Sequence, residues 1–213
     1  MVTINGKNNT YYSALYIHKE IDEPTPKQNF VSVPLRDGSV DVTSFLTATP
    51  YFESRKITIG LEIKGLRNTW PNAVSKIYNE IHGKRVEVEF DEDSGWIWIG
   101  SAAVQTPEDH GASLGISIEV TAEPFKRRKT ATVIANAASV SGDVQYTVTV
   151  SDPRGYLSFN TSTTGFTVTV GSQTWTLPQG DSTCFGLVLL YGSTTISVHG
   201  TGTITIKETG GSL

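Results

Sequence analysis

The chain is predicted to be mainly β: an N-terminal β-sandwich-like domain carrying one helix, followed by a C-terminal antiparallel β-sandwich. Three observations carry this. Ile57, Ile59, Leu61 and Ile63 alternate with Lys56, Thr58, Gly60 and Glu62, the period of a half-buried strand. Only Val74, Ile77, Tyr78 and Ile81 recur at helical spacing. After Lys126-Arg-Arg-Lys129 only Arg154 and Lys207 of the 17 basic residues remain, and Ser, Thr and Gly dominate. That shift places the boundary between domains 1–129 and 130–213, as 213 residues suit two domains on a prior of roughly 100–200 each.

In chain order, Val2 to Ile17 reads as two short strands around a polar turn at Gly6 to Asn9, with Tyr11, Tyr12, Leu15 and Ile17 supplying apolar faces. Pro24-Thr-Pro26 is a loop. Phe30, Val31 and Val33 lead to the turn Arg36-Asp37-Gly38, since Asp tolerates and Gly freely adopts a left-handed backbone. Val33 to Ile63, which includes that turn and the clearest strand, is the spine of the first domain. Thr69 is expected to cap the helix, with Pro71 in its first turn and Gly83 as its left-handed stop. Its apolar stripe needs a sheet to lie on.

Val86, Val88 and Phe90 then point inward and Glu87 and Glu89 outward, and the acidic turn Asp91 to Gly95 leads to Trp96-Ile-Trp-Ile-Gly100. Both faces of that strand are apolar, so it is either central or covered by another subunit. Leu114, Ile116, Ile118 and Val120 form the last strand of the domain. Beyond residue 129 come eight alternating runs, 132–138, 144–151, 156–160, 166–170, 174–177, 185–191, 195–199 and 203–207, with turn residues between them.

A net charge of −4 provides no field for holding nucleic acid or anionic lipid. The beginning of the chain has no apolar signal core, and the longest apolar run, Phe185 to Tyr191, is far short of the roughly 20 residues that span a bilayer. A soluble protein kept in a cytoplasm is expected. Cys184 has no partner for a disulfide and reads as a small hydrophobe.

The chemical motifs are weak. Gly111-Ala-Ser113-Leu-Gly115 fits the G-x-S-x-G pattern, but a strand follows where a nucleophile elbow needs a helix. Asp91 to Gly95 shares only part of a calcium loop and reads as a solvated hairpin turn. Glu87 and Glu89 share a face, as carboxylates on ordinary strands do. His18, His82, His110 and His199 show no ligand spacing, and no metal or cofactor is expected. Trp175, between Thr174 and Thr176, either stacks on a sugar or fills the sandwich core.

The order of VPLRDGSVDVT, YFESRKITIGLEI, one helix, HGKRVEVEFDEDSGWIWIG and IEVTAEPFKRR resembles the distal tail protein of siphophages, the phage tail component family, over residues 1 to about 130. The chain departs from the family pattern in having Leu35 where Gly commonly precedes the Arg. It also has Thr121-Ala-Glu-Pro124-Phe125 in place of a Cys-x-x-Pro-Tyr-like ending, keeping the proline and an aromatic. The resemblance implies a galectin-like or carbohydrate-module-like second domain and a structural hub without chemistry. Six copies would form a ring at the phage tail tip, assembled in the bacterial cytoplasm and carried in the virion. The ring would join the tail tube protein to the tail-associated lysin and to receptor-binding or baseplate proteins, with DNA passing only as cargo and no membrane insertion. Arg36, Asp37, Arg55, Trp96 and Trp98 are the residues expected at subunit contacts, and Trp175 is the residue expected at a saccharide. The competing readings are a carbohydrate-binding sandwich that attaches to host cell-wall saccharide and a small hydrolase using Ser113.

Overall fold

The computed structural model describes residues 1–43 and 50–213, apart from the side chain of Phe185. The part of the Val33–Ile63 spine at 44–49 lies outside the described residues. Two compact units are present, Met1–Pro124 with Leu213 and Phe125–Ser212.

In the first unit the strands are β1 (Val2–Ile4), β2 (Lys7–Asn8), β3 (Ala14–Ile21), β4 (Phe30–Ser32), β5 (Ser39–Asp41), β6 (Arg55–Lys64), β7 (Arg85–Phe90), β8 (Trp96–Val104), β9 (Glu108–Asp109) and β10 (Ser113–Ala122). An α-helix, α1, spans Trp70–Ile81. The β6 strand pairs antiparallel with β3 on one side and along its whole length with β10 on the other. The far half of β10 pairs with β8, β8 with β7, and β7 with β1. In these pairings β8 has a neighbour on both sides only at Gly100 and Ser101; of its apolar stretch Trp98 is buried and Trp96, Ile97 and Ile99 are half-buried.

The alternation read from the sequence decides which face is covered. Ile57, Ile59, Leu61 and Ile63 of β6 are buried with Ile116, Ile118 and Val120 of β10, and the buried Trp70, Ala73, Ile77 and Ile81 of α1 share that core. Each such side chain contributes roughly 1.5–3 kcal/mol by leaving water. The helix starts without the expected cap. Thr69 has a helical backbone, and its hydroxyl donates to the Leu66 carbonyl at 2.7 Å and accepts no hydrogen bond from the first N–H groups of the helix. Pro71 does stand in the first turn, and Gly83 follows the end of the helix at a φ of 71°.

The second unit is all antiparallel strand: β11 (Lys126–Arg128), β12 (Thr132–Thr161), β13 (Phe166–Val170), β14 (Gln173–Leu177) and β15 (Gly180–Ser212). The eight short runs expected here fall within four longer segments that keep their pairing through bends. The two longest bend so that each serves more than once. Residues 132–150 of β12 pair with 192–208 of β15, whereas 154–161 lie between 180–190 and 204–211. The core is Val148, Leu157, Phe159, Phe166, Val168, Ile196, Val198, Ile204 and Ile206, drawn from inward positions of these segments. The basic run that begins at Lys126 lies in the unit Phe125–Ser212, where Lys126 and Arg127 pair with Ser212 and Gly211.

A buried carboxylate marks this end of the unit. Glu208 is 6% exposed, and its Oε1 has no partner among the described residues. Burial first, and the Asp152 charge second, push its carboxyl above the ordinary 4.5, with Arg128 opposing. An acid that holds its proton more tightly folded than unfolded makes the fold lose stability as pH rises from about 4.5 to its folded value. Glu208→Gln is therefore expected to flatten that decline and raise Tm at neutral pH, measured by thermal unfolding from about pH 4 to about pH 8. A lower Tm at neutral pH would show that the carboxylate stabilises the fold.

Candidate assembly surfaces

The feature of the first unit that lacks an internal purpose is a ribbon that prolongs the β3–β6 pair. Past the Ile21–Ile57 pairing the two chains stay joined: Asp22 N donates to Lys56 O, Glu53 N to Thr25 O, Lys27 N to Tyr51 O and Val42 N to Asn29 O, all at 2.8–2.9 Å. The ribbon ends in the hairpin β4–β5, with Phe30 opposite Asp41 and Ser32 opposite Ser39. From Thr25 to Ser39 every residue is exposed. Phe30 is 57% and Val31 48% exposed, Tyr51 lies open beside the stem, and Leu35 at the tip is fully exposed. A lone two-stranded hairpin is marginal in water without a surface to pack on. This one presents exposed apolar side chains that belong to neither core among the described residues, as surfaces that become covered on assembly do.

The turn at its tip is built differently from the sequence expectation. Gly38 is left-handed at φ 74°, but the other left-handed residue is Leu35 at φ 64°, not Asp37. Leu35 occupies the position where the resembling family commonly has glycine, and a leucine there costs roughly 1–2 kcal/mol. Arg36 and Asp37 are exposed beside it. Of the residues expected at subunit contacts, these two are free to meet a partner.

The other three sit differently. Arg55 is 4% and Trp98 5% exposed in the single chain, and the guanidinium lies 4.7 Å from the centre of the Trp98 ring. Arg55 Nε and Nη2 have no hydrogen-bond partner, and burial lowers its pKa against the weaker pull of Glu23. Both side chains are thus committed to the interior of the unit and offer almost no surface to a neighbour. Trp96 is half-buried. Trp175 on β14 pairs opposite Val168 and is half-buried against the second core, beside an open depression lined by Gln173, Thr174 and Gly186.

The chemical motifs resolve into structure. Ser113 begins strand β10, and its hydroxyl donates to Glu62 Oε1 at 2.6 Å, an interaction that holds the Glu62 carboxyl below its ordinary pKa. Ser113 is a strand serine whose hydroxyl is bound to a carboxylate. Asp91–Asp93 form a short 3-10 turn, and Glu92 pairs with Lys19 at 2.5 Å. His82 Nδ1 accepts from Val104 N at 3.0 Å, and His199 Nδ1 lies 2.9 Å from Asp143. Burial pushes the Cys184 thiol pKa up, away from a reactive thiolate. Among the described residues no cluster of three or more His, Cys, Asp or Glu is set to hold a metal ion, and no helix is long and apolar enough to cross a membrane.

A solved structure aligns over all of this chain and 98% of its own, with a TM-score of 0.60 at 14% identity: the SPP1 Dit (gp 19.1) protein, described as a paradigm of the hub adsorption apparatus in phages infecting Gram-positive hosts. The two chains share a fold. The distal tail resemblance read in the sequence is therefore met at the level of architecture, across both units. A component of the phage p2 baseplate in its activated conformation with Sr aligns more loosely, at a TM-score of 0.42 and 9% identity over 95% of this chain and 92% of that one. No family model matches the sequence, and no curated protein matches it.

Sequence reasoning missed the ribbon as an object. Its signal was present in the exposed apolar residues on either side of the Arg36-Asp37-Gly38 turn. Alternation alone cannot say that a strand pair has left the sheet.

Proposed function

We propose that this protein is a structural hub of a phage tail tip, a ring-forming distal tail protein that joins the tail tube to baseplate, lysin and receptor-binding components, and that it catalyses no reaction. The single observation that carries the reading is the ribbon whose stem joins Asp22–Lys27 to Tyr51–Lys56 and whose apolar hairpin end, at Phe30, Val31 and Leu35, is exposed among the described residues. The Dit-like fold supports it. Where each ribbon reaches onto the next copy in one sense the interface is head-to-tail and closes into a ring when the rotation permits, whereas two ribbons gripping each other reciprocally give a two-fold dimer. Six copies would build the ring from the first unit, leaving the second unit to meet other tail-tip proteins, with DNA passing through the opening only as cargo. The assembly would form in the host cytoplasm and travel in the virion.

Negative-stain imaging of the purified chain, alone and mixed with its tail tube protein, tests this. Closed six-fold rings, stacked on tube ends in the mixture, are the expected result. Single particles in both preparations would overturn it. The saccharide-binding reading has a narrower test. Glycan binding lost in Trp175→Ala with unchanged thermal unfolding would support it, whereas a drop in Tm without any glycan binding would assign the indole to the core that it touches.

A further inference from the structure

We infer that the second unit carries a saccharide site on the outer face of its sheet, in a depression formed by Asn160, Asp181 and Lys207 that is separate from the one beside Trp175. The inference goes beyond the hub reading and stands without it.

The depression has a volume of about 360 Å³, at the lower end of the roughly 300–1,000 Å³ of ligand pockets. It lies where residues 158–160 of β12 run between 181–183 and 205–207 of β15, so strand pairing sets its side chains out as a grid. Asn160 stands between Asp181 and Thr205, and Ser158 between Thr183 and Lys207. Phe159, Ile204 and Ile206, which alternate with them, are buried in the core, so the six polar side chains face outward.

One row of the grid is held in a fixed orientation. Asn160 Nδ2 donates to Asp181 Oδ1 at 2.8 Å, which leaves the second carboxylate oxygen and Asn160 Oδ1 as acceptors. Thr205 Oγ1 accepts from Ala137 N at 3.0 Å, so the hydroxyl proton of Thr205 is directed elsewhere. That bond comes from the irregularity between Ala135 and Ala138, where Ala137 takes a left-handed backbone at φ 46° that disfavours any residue but glycine. Bulges of this kind re-aim side chains beside sites. The other row is uncommitted: Ser158, Thr183 and Lys207 make no side-chain hydrogen bond or ion pair among the described residues. Ser182, which also lines the depression, has a buried Oγ without a partner among them.

The ligand chemistry that fits this set is a cluster of hydroxyls. Oriented acceptors, free hydroxyls and an ammonium can each bond to a hydroxyl, which both donates and accepts. One carboxylate and one ammonium cancel, so nothing concentrates an ion. Phe159, the aromatic residue of the lining, is 2% exposed, so no apolar platform is offered. Three strands at about 4.8 Å spacing make the grid roughly 10 Å across, which suits one or two sugar rings.

The experiment is saturation-transfer NMR on the full chain, which reads the sugar and works whatever the mass of the assembly. Glucose, galactose, rhamnose, N-acetylglucosamine, maltose and lactose are the probes, at millimolar concentration. The expected result is transfer to at least one of them, with affinity about tenfold or more lower in Asp181→Ala and in Lys207→Ala and unchanged in Trp175→Leu. Asp181 and Lys207 are exposed, so both variants should unfold at the wild-type temperature. Transfer to none of the sugars would overturn the inference. Binding kept in both alanine variants and lost in Trp175→Leu would overturn it in favour of the indole. Displacement of the sugar by inorganic phosphate at equal concentration would also overturn it, leaving an anion held by Lys207. The ring reading is untouched by each of these results, since mass in solution decides it.

Discussion

Replacing Phe30, Val31 and Leu35 together by serine is expected to leave a folded monomer. The three side chains touch no core, so thermal unfolding of the variant should follow that of wild type measured under conditions where it too is monomeric. Removal of the left-handed leucine at φ 64° acts in the same direction, since a smaller residue tolerates that backbone no worse. Association, by contrast, should fall by more than about 100-fold. Covering three apolar side chains is worth roughly 1.5–3 kcal/mol each, and a few such anchors carry most of an interface. Analytical ultracentrifugation separates the two effects. A variant that unfolds early would mean that the ribbon packs on its own chain. A variant that assembles normally would remove these side chains from the interface.

Trp98→Ala should do the opposite, losing about 3–5 kcal/mol of folding stability in the monomer. The indole is 5% exposed on β8 and is the surface against which the Arg55 guanidinium lies, so its removal opens a cavity beside a buried cation that already lacks hydrogen-bond partners at Nε and Nη2. Out of a total that is typically 5–15 kcal/mol, that is a large share. Arg55→Met is the companion test. Burying a charge whose Nε and Nη2 make no hydrogen bond among the described residues is costly, and a methionine of similar length would keep the contact with Trp98 while removing that cost along with the weaker pull of Glu23, so its stability should equal or exceed wild type by about 1 kcal/mol. Urea unfolding of the two variants decides this. Unchanged unfolding in Trp98→Ala combined with lost assembly would return Trp98 to the interface.

These two experiments mark the border between what the sequence shows and what only the folded chain shows. Period-two alternation from Ile57 to Ile63 and helical spacing from Val74 to Ile81 are direct consequences of one-sided burial, so both elements could be read. The second unit could be read as strand, but not as four long segments. Irregularities such as those between Val133 and Ala135 and between Val150 and Arg154 look like chain breaks in sequence while the pairing on either side of them persists. Trp98 and Arg55 were legible as unusual but not as interior, because a strand apolar on both faces has the same sequence whether a neighbouring strand or a neighbouring subunit covers it. Leu35 shows the converse. The departure from glycine was visible, but only its φ reveals that the leucine keeps the left-handed turn and so stands out from it.

The most direct test of the hub reading is the mass of the unmodified chain in solution. Light scattering across a concentration series, with and without the tail tube protein, should give a species near six times 23.1 kDa. A mass that stays at 23.1 kDa throughout would contradict the account.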